Sequence, residues 1–559
     1  MSKLTVAVLT DLHCDGTPRQ EAHMRRALND LKGRATGGID VLLMAGDYSF
    51  TGSRDEAEAF RDTLVRFIDP RRTAIVPACG NHDTCWTGCM KADGWNEVWQ
   101  PVLTHLHPDS DGEHGNWHVE CGGYHFLTVE ARTYSPNLFT EHTEKWLHDT
   151  LTALTTADPE RYVFIATHGA ADGTGLYGAD VAIDGAIASW GNSPTLYGML
   201  RDFPQAVLFT GHTHYSLENE RSIMQRDFTA VNAGGVTDIS SIWSTDAAGW
   251  LNTGFAGNAS HGLLLTVEDG AVTMERIDFV NSRVIGTWRL PTPSADGAHL
   301  NVYRDDRDPH AGPVFGEGAV TAAAVGRDFV RLTHPAAFGA AQTLAYHYVA
   351  EKDGQQTAFH LFSQYGNAPV FSHDVYGVLP EAPFTLSVTA EDIWGNRSEP
   401  LTAHITAVAA QSCRPTHLPE EVPCVSEGPL TALSVTYDNL AVTGDAPHID
   451  LLLASDGVPQ GYDGGQCTLL RYDPVEGRLL CYPHDAGILL VQSPALQSEN
   501  ACRVTVRFYE DDHGGMFLRA AVPGEQFDVE LPNFFFWSKR LNDLSHVYTA
   551  LQTYDMTCR

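Results

Sequence analysis

Five short blocks of this 559-residue sequence carry side chains suited to holding metal ions: Asp11-Leu12-His13, Gly46-Asp47, Gly80-Asn81-His82-Asp83, His168, and Gly211-His212-Thr213-His214. Imidazole nitrogens mixed with carboxylate and amide oxygens suit Mn, Fe or Zn. An all-oxygen set would favour Mg or Ca, and a thiolate set structural Zn. The chain holds 26 histidines, so any one of them alone would mean little. Their meaning comes from position, because each block closely follows a short apolar run.

Those runs are Leu4–Leu9, Val41–Ala45, Ala74–Ala78, Val163–Ala166 and 206–209. Nearly continuous apolar stretches of this length predict strands buried on both faces of a sheet. In open α/β sheets ligands bind beyond the carboxyl ends of the strands, so groups far apart in sequence can meet there. Glycines before Asp47, Asn81 and His212 would let the backbone turn sharply and approach the ions closely. In Asp11-x-His13 and His212-x-His214 the middle residue is expected to point away, as in extended chain. Between the runs, Ser53-Arg54-Asp55-Glu56 reads as a capping box before Ala57, Phe60, Leu64 and Phe67 at helical spacing. A second helix is expected from about Glu141 through Trp146, Leu147, Leu151 and Leu154, with Thr140 as N-cap.

The ordered blocks D-x-H, G-D, G-N-H-D, H and G-H-x-H resemble those of the calcineurin-like metallophosphoesterase superfamily, over roughly the first 285 residues. The resemblance implies an α/β fold, a four-layer α/β/β/α sandwich spanning 1–290. It implies two divalent or trivalent transition-metal ions. Asp11, His13 and His214 would hold one, Asn81, His168 and His212 the other, and Asp47 would bridge them. It places His82 beside the substrate phosphate with Asp83 orienting it, and implies an in-line displacement by metal-activated water. Gly46-Asp47-Tyr48-Ser49-Phe50-Thr51-Gly52 is similar to a subgroup containing bacterial cyclic-nucleotide and glycerophosphodiester phosphodiesterases. The stretch from Trp190 through Tyr215 to Arg221, Asp227 and Phe228 resembles large bacterial phosphoesterases with added β domains. Tyr48 replaces a usual aliphatic residue, and no proline follows His168-Gly169-Ala170. The choice between small phosphodiesters and phosphomonoesters therefore stays open, with diesters slightly favoured.

A chain this long predicts about three or four domains. Hydrophobic residues at 43% and charged residues at 19% describe globular material. A formal charge of −34 argues against duplex nucleic acid as the main substrate, and small phosphorylated molecules fit better. No apolar run reaches the roughly 20 residues of a membrane span. Pro, Asp, Gly and His crowd 291–312, which reads as a linker. Strand-like runs at 319–324, 329–332, 344–350, 358–362, 384–390 and 401–407 then predict a β-sandwich over 313–409. Its 384–400 stretch resembles the closing hairpin of a fibronectin type III domain. A second linker at 410–423 leads to an all-β domain over 424–559, with runs at 451–454, 487–491 and 503–509.

Eleven cysteines would leave at least one unpaired on oxidation. Free thiols and a cytoplasmic location are expected, with three late disulfides and an extracytoplasmic location as the alternative had a leader been removed. His105, His107, His114 and His118 stand among Pro108, Asp109, Asp111 and Gly112 and are read as a solvated loop. Cys85 and Cys89, near Cys79, are read as ordinary thiols. Tyr177, Trp190 and Tyr215 could stack on a substrate or be buried, and Phe534-Phe535-Phe536-Trp537 is read as a core strand. The rival to a hydrolase is a cell-envelope binding protein that acts through its β domains, with a structural metal site. Oligomeric state is not legible.

Overall fold

The computed structural model describes most of residues 3–406, setting aside 15–17, 85–91, 132, 135–136, 175–192, 238–242, 246–250, 254–259, 305–306, 309–310, 325–328, 364–368, 377–378 and 381. Beyond 406 it describes strand backbone alone. The chain divides into two compact units, one of 1–241 with 258–309 and one of 242–257 with 310–559.

The first unit carries two six-stranded mixed sheets built from twelve strands. In chain order they are β1 (Leu4–Leu9), β2 (Val41–Ala45), β3 (Ala74–Ala78), β4 (His118–Cys121), β5 (Tyr124–Thr128) and β6 (Val163–Ala166). They continue with β7 (Ala206–Thr210), β8 (Ile223–Gln225), β9 (Thr229–Asn232), β10 (His261–Glu268), β11 (Ala271–Asp278) and β12 (Arg283–Leu290). The sheet orders are β12-β11-β10-β1-β2-β3 and β8-β9-β7-β6-β5-β4. β1, β2 and β3 run parallel, as do β5, β6, β7 and β9, whereas β10 to β12, β4 and β8 join antiparallel. The five apolar runs of the sequence are β1, β2, β3, β6 and β7 of these parallel strands, and β5 and β9 fall outside them. Pro77, which lacks a ladder donor, is tolerated because β3 lies at an edge.

Every residue of β2, β3, β6 and β7 is buried, as expected for strands covered on both faces. Alternate side chains serve different cores. Val6, Val8, Leu43, Val76, Phe126, Phe164 and Phe209 from the two sheets share one cluster. Leu42, Met44 and Ile75 pack with Leu28, Leu31, Phe60, Leu64, Trp95 and Trp99 of three helices, α1 (Pro18–Arg34), α2 (Arg54–Phe67) and α4 (Ala92–Trp99), with the short α3 (Asn81–Thr84) between the last two. Leu127, Ile165 and Leu208 pack with Leu147 and Leu151 of α5 (Glu141–Ala157) and Leu196 and Leu200 of α6 (Pro194–Leu200).

Both N-caps form, but the capping box does not close. Ser53 accepts from the Glu56 N–H and Thr140 from the Thr143 N–H. Glu56 reaches back to Thr51 rather than to Ser53, binding both its N–H and its hydroxyl. The segment after β12 is fastened to the same unit: Val302 and Tyr303 N–H donate to the Gln225 side chain, and Arg307 donates to the Glu220 and Ile223 carbonyls.

The second unit is β-rich. A three-stranded sheet (Thr321–Ala324, Phe329–Pro335, Val370–Tyr376) and a four-stranded one (Gln355–Phe362, Thr343–Lys352, Phe384–Asp392, Leu401–Ile405) share a core of Val330, Leu332, Tyr346, Tyr348, Phe371, Leu386 and Val388. The strand Val370–Tyr376 was not expected from the sequence. In the turn after Phe384–Asp392, the Asp392 carboxylate accepts from Trp394 and Asn396 N–H. The described strands between 422 and 553 form a six-stranded and a four-stranded antiparallel sheet. Of the expected 487–491 run only its end, in Val491–Gln492, is described, and Phe534–Trp537 and the late cysteine side chains lie outside the described residues. No described helix is long and apolar enough to cross a membrane.

Candidate metal centre

The carboxyl ends of β1, β2, β3, β6 and β7 bring the five sequence blocks together. Backbone hydrogen bonds lace the turns: Asp11 N–H to the Gly46 carbonyl at 3.0 Å, Leu12 and His13 N–H to the Asp47 carbonyl at 2.8 and 3.0 Å, and Gly211 N–H to the His168 carbonyl at 3.0 Å. Asp11, His13, Asp47, His212 and His214 all adopt positive φ, between 44° and 71°. That corrects the expectation of extended chain. Leu12 still points away into the core, but left-handed turns at the flanking residues aim the ligands, and such strain gathers at functional sites.

The glycines act through close approach. A Cβ on Gly80 would lie 2.1 Å from Asp47 Oδ1 and 2.6 Å from its backbone nitrogen. One on Gly211 would lie 2.4 Å from Asp11 Oδ2, and one on Gly46 2.6 Å from His168 Nδ1.

Two sets of donor atoms result. In the first, His214 Nε2 lies 3.1 Å from both Asp11 Oδ1 and His13 Nε2. In the second, His168 Nε2 lies 3.0 Å from both Asn81 Oδ1 and Asp47 Oδ2, and the His212 ring centroid is 5.0 Å from that of His168. Asp47 reaches both sets, its Oδ2 also lying 3.8 Å from His13 Nε2. Asp11, His13 and His214 form one group of donors within 4.8 Å of one another, and Asp47, His168 and His212 another.

The donor set fits metal ions. Asp11 and Asp47 are buried, at 0% and 1% exposure, and their described ion pairs are all to histidines. Buried carboxylates in such number need positive charge. His13 Nδ1 is buried without a hydrogen-bond partner, while His13 Nε2 and His214 Nε2 face each other with at most one proton able to lie between them.

Burial would raise Asp11, but His214 beside it holds the carboxyl at about 2. Burial of Asp47 is likewise outweighed, by His168 and His82, so that it sits well below the usual carboxylate range. Burial, then His168, takes His212 down to about 3, and burial, then His82, takes His13 well below its ordinary value. These four groups are in their ligating forms at neutral pH. Burial would also lower His168, but Asp47 raises it to about 9. An ion bound there would displace that proton.

His82 sits over this cluster, its ring centroid 4.5 Å from that of His13 and its N–H on Asp47 Oδ1 at 2.9 Å. Asp83 is placed otherwise than expected. Its carboxylate accepts from Tyr48, Ser49 and Gly80 N–H and from the Ser49 hydroxyl, at 2.8 to 3.3 Å. It thus ties the turn after β2 to the turn after β3. Burial and the neighbouring Asp47 push its pKa up to about 7. The Phe50 carbonyl, 2.7 Å from His82 Nδ1, is what orients the imidazole. Because a carbonyl only accepts, Nδ1 carries the proton.

Several supports carried no sequence signal, being backbone atoms: the Phe50 carbonyl, and the Ala45 carbonyl 2.8 Å from His168 Nδ1. Thr10, whose hydroxyl donates to Asp11 Oδ2 at 2.7 Å, could have been noticed as the polar residue that ends the β1 run. Tyr48 is core, packed on Phe60, Trp95 and Trp99 with its hydroxyl on the Ala78 carbonyl. Tyr215 is buried. Tyr177, Trp190, Cys85 and Cys89 lie outside the described residues.

No curated protein matches this chain. Similar solved structures include the chicken CNTN1 FN1–FN3 domains, at 9% identity over 47% of this chain and 77% of that one, with a TM-score of 0.15. Chitinase ChiA74 from Bacillus thuringiensis aligns at 10% identity over 96% and 81% with a TM-score of 0.17. A tetra-tandem repeat in the extending region of a large adhesion protein aligns at 12% over 57% and 92% with a TM-score of 0.14. Superpositions this loose carry no argument about fold. The span that holds every residue of the centre is matched by a family: residues 4–216 fit the calcineurin-like phosphoesterase model, and the chain carries a calcineurin-like phosphoesterase domain there.

Proposed function

We propose that this protein hydrolyses small phosphate esters, phosphodiesters ahead of monoesters, at a centre of two transition-metal ions (Mn, Fe or Zn). In this reading Asp11, His13 and His214 hold one ion, Asn81, His168 and His212 the other, and Asp47 bridges them. The observation that carries it is Asp47, one buried carboxylate in reach of both donor sets. Bound there, the ions would supply charge neutralisation at a phosphoryl group and acidify the attacking water. The three packed side-chain clusters of the first unit support a four-layer α/β/β/α arrangement that keeps these turns rigid. The preference for diesters rests on the likeness over Gly46–Gly52.

His82 is the proposed catalytic residue. With the Nδ1 proton committed to the Phe50 carbonyl, Nε2 is the atom proposed to meet the substrate, and it hydrogen-bonds a phosphoryl oxygen or gives a proton to the leaving alkoxide only from the imidazolium, protonated on both nitrogens. Asp83 is a positioning residue, acting through the Tyr48–Ser49 and Gly80 backbone. The test is hydrolysis of bis-para-nitrophenyl phosphate, para-nitrophenyl phosphate and a cyclic nucleotide by Mn²⁺-loaded protein. Asp47→Asn is expected to abolish turnover and His82→Ala to lower it roughly 10²–10⁴-fold. Rates like those of the unaltered protein in both variants would overturn the assignment of hydrolysis to this centre, and no hydrolysis by the loaded protein would favour a binding role for the chain instead.

A further inference from the structure

The loop before β4 folds so that a second group of ligating atoms meets, sharing no residue with the proposed phosphoesterase centre. His107 and Asp109 come from the loop and His118 from β4, and one donor atom of each lies within 4.8 Å of the other two. Both imidazoles address the same carboxylate oxygen: His107 Nδ1 and His118 Nδ1 each contact Asp109 Oδ1. The rings of His107 and His118 lie 4.2 Å apart, centroid to centroid. Two nitrogens converging on one oxygen is the arrangement of a facial ligand set drawn together around a point.

The backbone presets this geometry. His107 N–H donates to the His118 carbonyl at 2.8 Å, and the Ser110 hydroxyl donates to that carbonyl at 2.9 Å. Ser110 N–H closes the turn on the His107 carbonyl at 3.0 Å, and Trp146 Nε1 of α5 holds the Asp109 carbonyl at 2.9 Å. The His118 side chain is fully buried, which favours the neutral imidazole that ligates. Its other nitrogen, Nε2, lies 2.9 Å from His125 Nδ1 of β5. Ligating histidines keep such a partner on the second ring nitrogen, and it fixes which nitrogen faces the metal. Asp109 is 44% exposed and the His107 side chain 33%, so one side of the group is open for an ion to enter and for water to complete its shell.

We propose that His107, Asp109 and His118 form a third cation site, at the edge strand of the second sheet, taking one divalent first-row ion of the Zn²⁺ or Ni²⁺ class. Two imidazoles and one carboxylate suit such ions rather than Mg²⁺ or Ca²⁺. The site pins the 107–111 loop to β4 and shares no ligand with the Asp47 centre. The neighbouring Asp111, His114 and His142 differ: Asp111 spends one carboxylate oxygen on each imidazole, 3.0 and 2.6 Å away, and all three are partly exposed. That is the pattern of surface ion pairs.

Full-length protein, stripped of metal and dialysed against graded Zn²⁺, is assayed for zinc per chain by elemental analysis, together with the melting temperature. His107→Ala and Asp109→Asn are each expected to bind one zinc fewer than the unaltered protein and to lose one part of the zinc-induced rise in melting temperature. The zinc-induced rise is read against each variant's own metal-free melting temperature, which loss of the contacts to Asp109 lowers, and the Mn²⁺-dependent hydrolysis should be kept. His142→Ala is expected to retain the full zinc complement. Because the readout is a difference between proteins, it holds whatever number of ions the Asp47 centre takes. Equal zinc content in the unaltered protein and both loop variants would overturn the proposal, as would loss of the ion in His142→Ala alone.

Discussion

Gly80→Ala is a perturbation whose size can be worked from the structure. The added Cβ would stand 2.1 Å from Asp47 Oδ1, where ordinary contact begins at 3.4 Å. The carboxylate must therefore retreat by about 1.3 Å, the difference of those distances. Retreat is hindered, because the same Cβ lies 2.6 Å from the Asp47 backbone nitrogen, and Oδ1 also holds the His82 N–H. Overpacking of this kind costs about 1–3 kcal/mol. In a domain of this size each 1 kcal/mol moves the melting temperature by roughly 2–4 °C. If Asp47 bridges two ions as proposed, misplacing it by about 1 Å is expected to cost ~10²-fold in kcat/KM. Mn²⁺-dependent hydrolysis of bis-para-nitrophenyl phosphate and thermal melting measure the two effects. Gly33→Ala in α1 is the control, since nothing lies within 4 Å of its Cβ. It should keep full activity and gain up to ~1 kcal/mol in stability. A Gly80→Ala protein with wild-type kcat/KM would refute the claim that backbone proximity at this glycine sets the position of Asp47.

Asp83→Ala strands three backbone N–H groups that its carboxylate now satisfies, so a loss of at least about 3 kcal/mol is expected in a denaturant titration, together with reduced metal content. An unchanged midpoint would show that the two turns do not depend on it. In the second unit, Glu391 is buried, which alone would raise its carboxyl, but His347 and Arg397 hold it below the usual range. A depressed acid contributes stability above its unfolded pKa of about 4.3 and loses it as pH falls through the folded value. The difference in melting temperature between the unaltered protein and Glu391→Gln, worth about 1 kcal/mol at pH 7, should therefore shrink between about pH 5 and pH 3. A difference that stays constant over that range would contradict the assignment.

The parallel strands of the centre were legible because burial on both faces demands unbroken apolar runs such as Val41–Ala45, and because the polar residue that ends each run has to serve some purpose at the sheet edge. The candidate ligands followed from side-chain chemistry, and their proposed division between two ions from the family resemblance. The antiparallel strands from His261 to Leu290 were less legible: β12 is largely exposed, so its sequence lacks the continuous run that marked β1 to β3. Asp83 was assigned to orient His82 from the family resemblance, whereas its carboxylate turns back onto Tyr48, Ser49 and Gly80. The loop histidines were read as solvated because they stand among Pro108, Asp109, Asp111 and Gly112, residues that favour turns. Only the return of the loop onto β4 places both His107 and His118 on Asp109.

Anomalous diffraction from crystals of the Mn²⁺-loaded protein tests the central claim most directly. Two peaks should flank the Asp47 carboxylate, one against Asp11, His13 and His214 and the other against Asn81, His168 and His212. A single peak that does not touch Asp47, or none in this cluster, would contradict a binuclear centre.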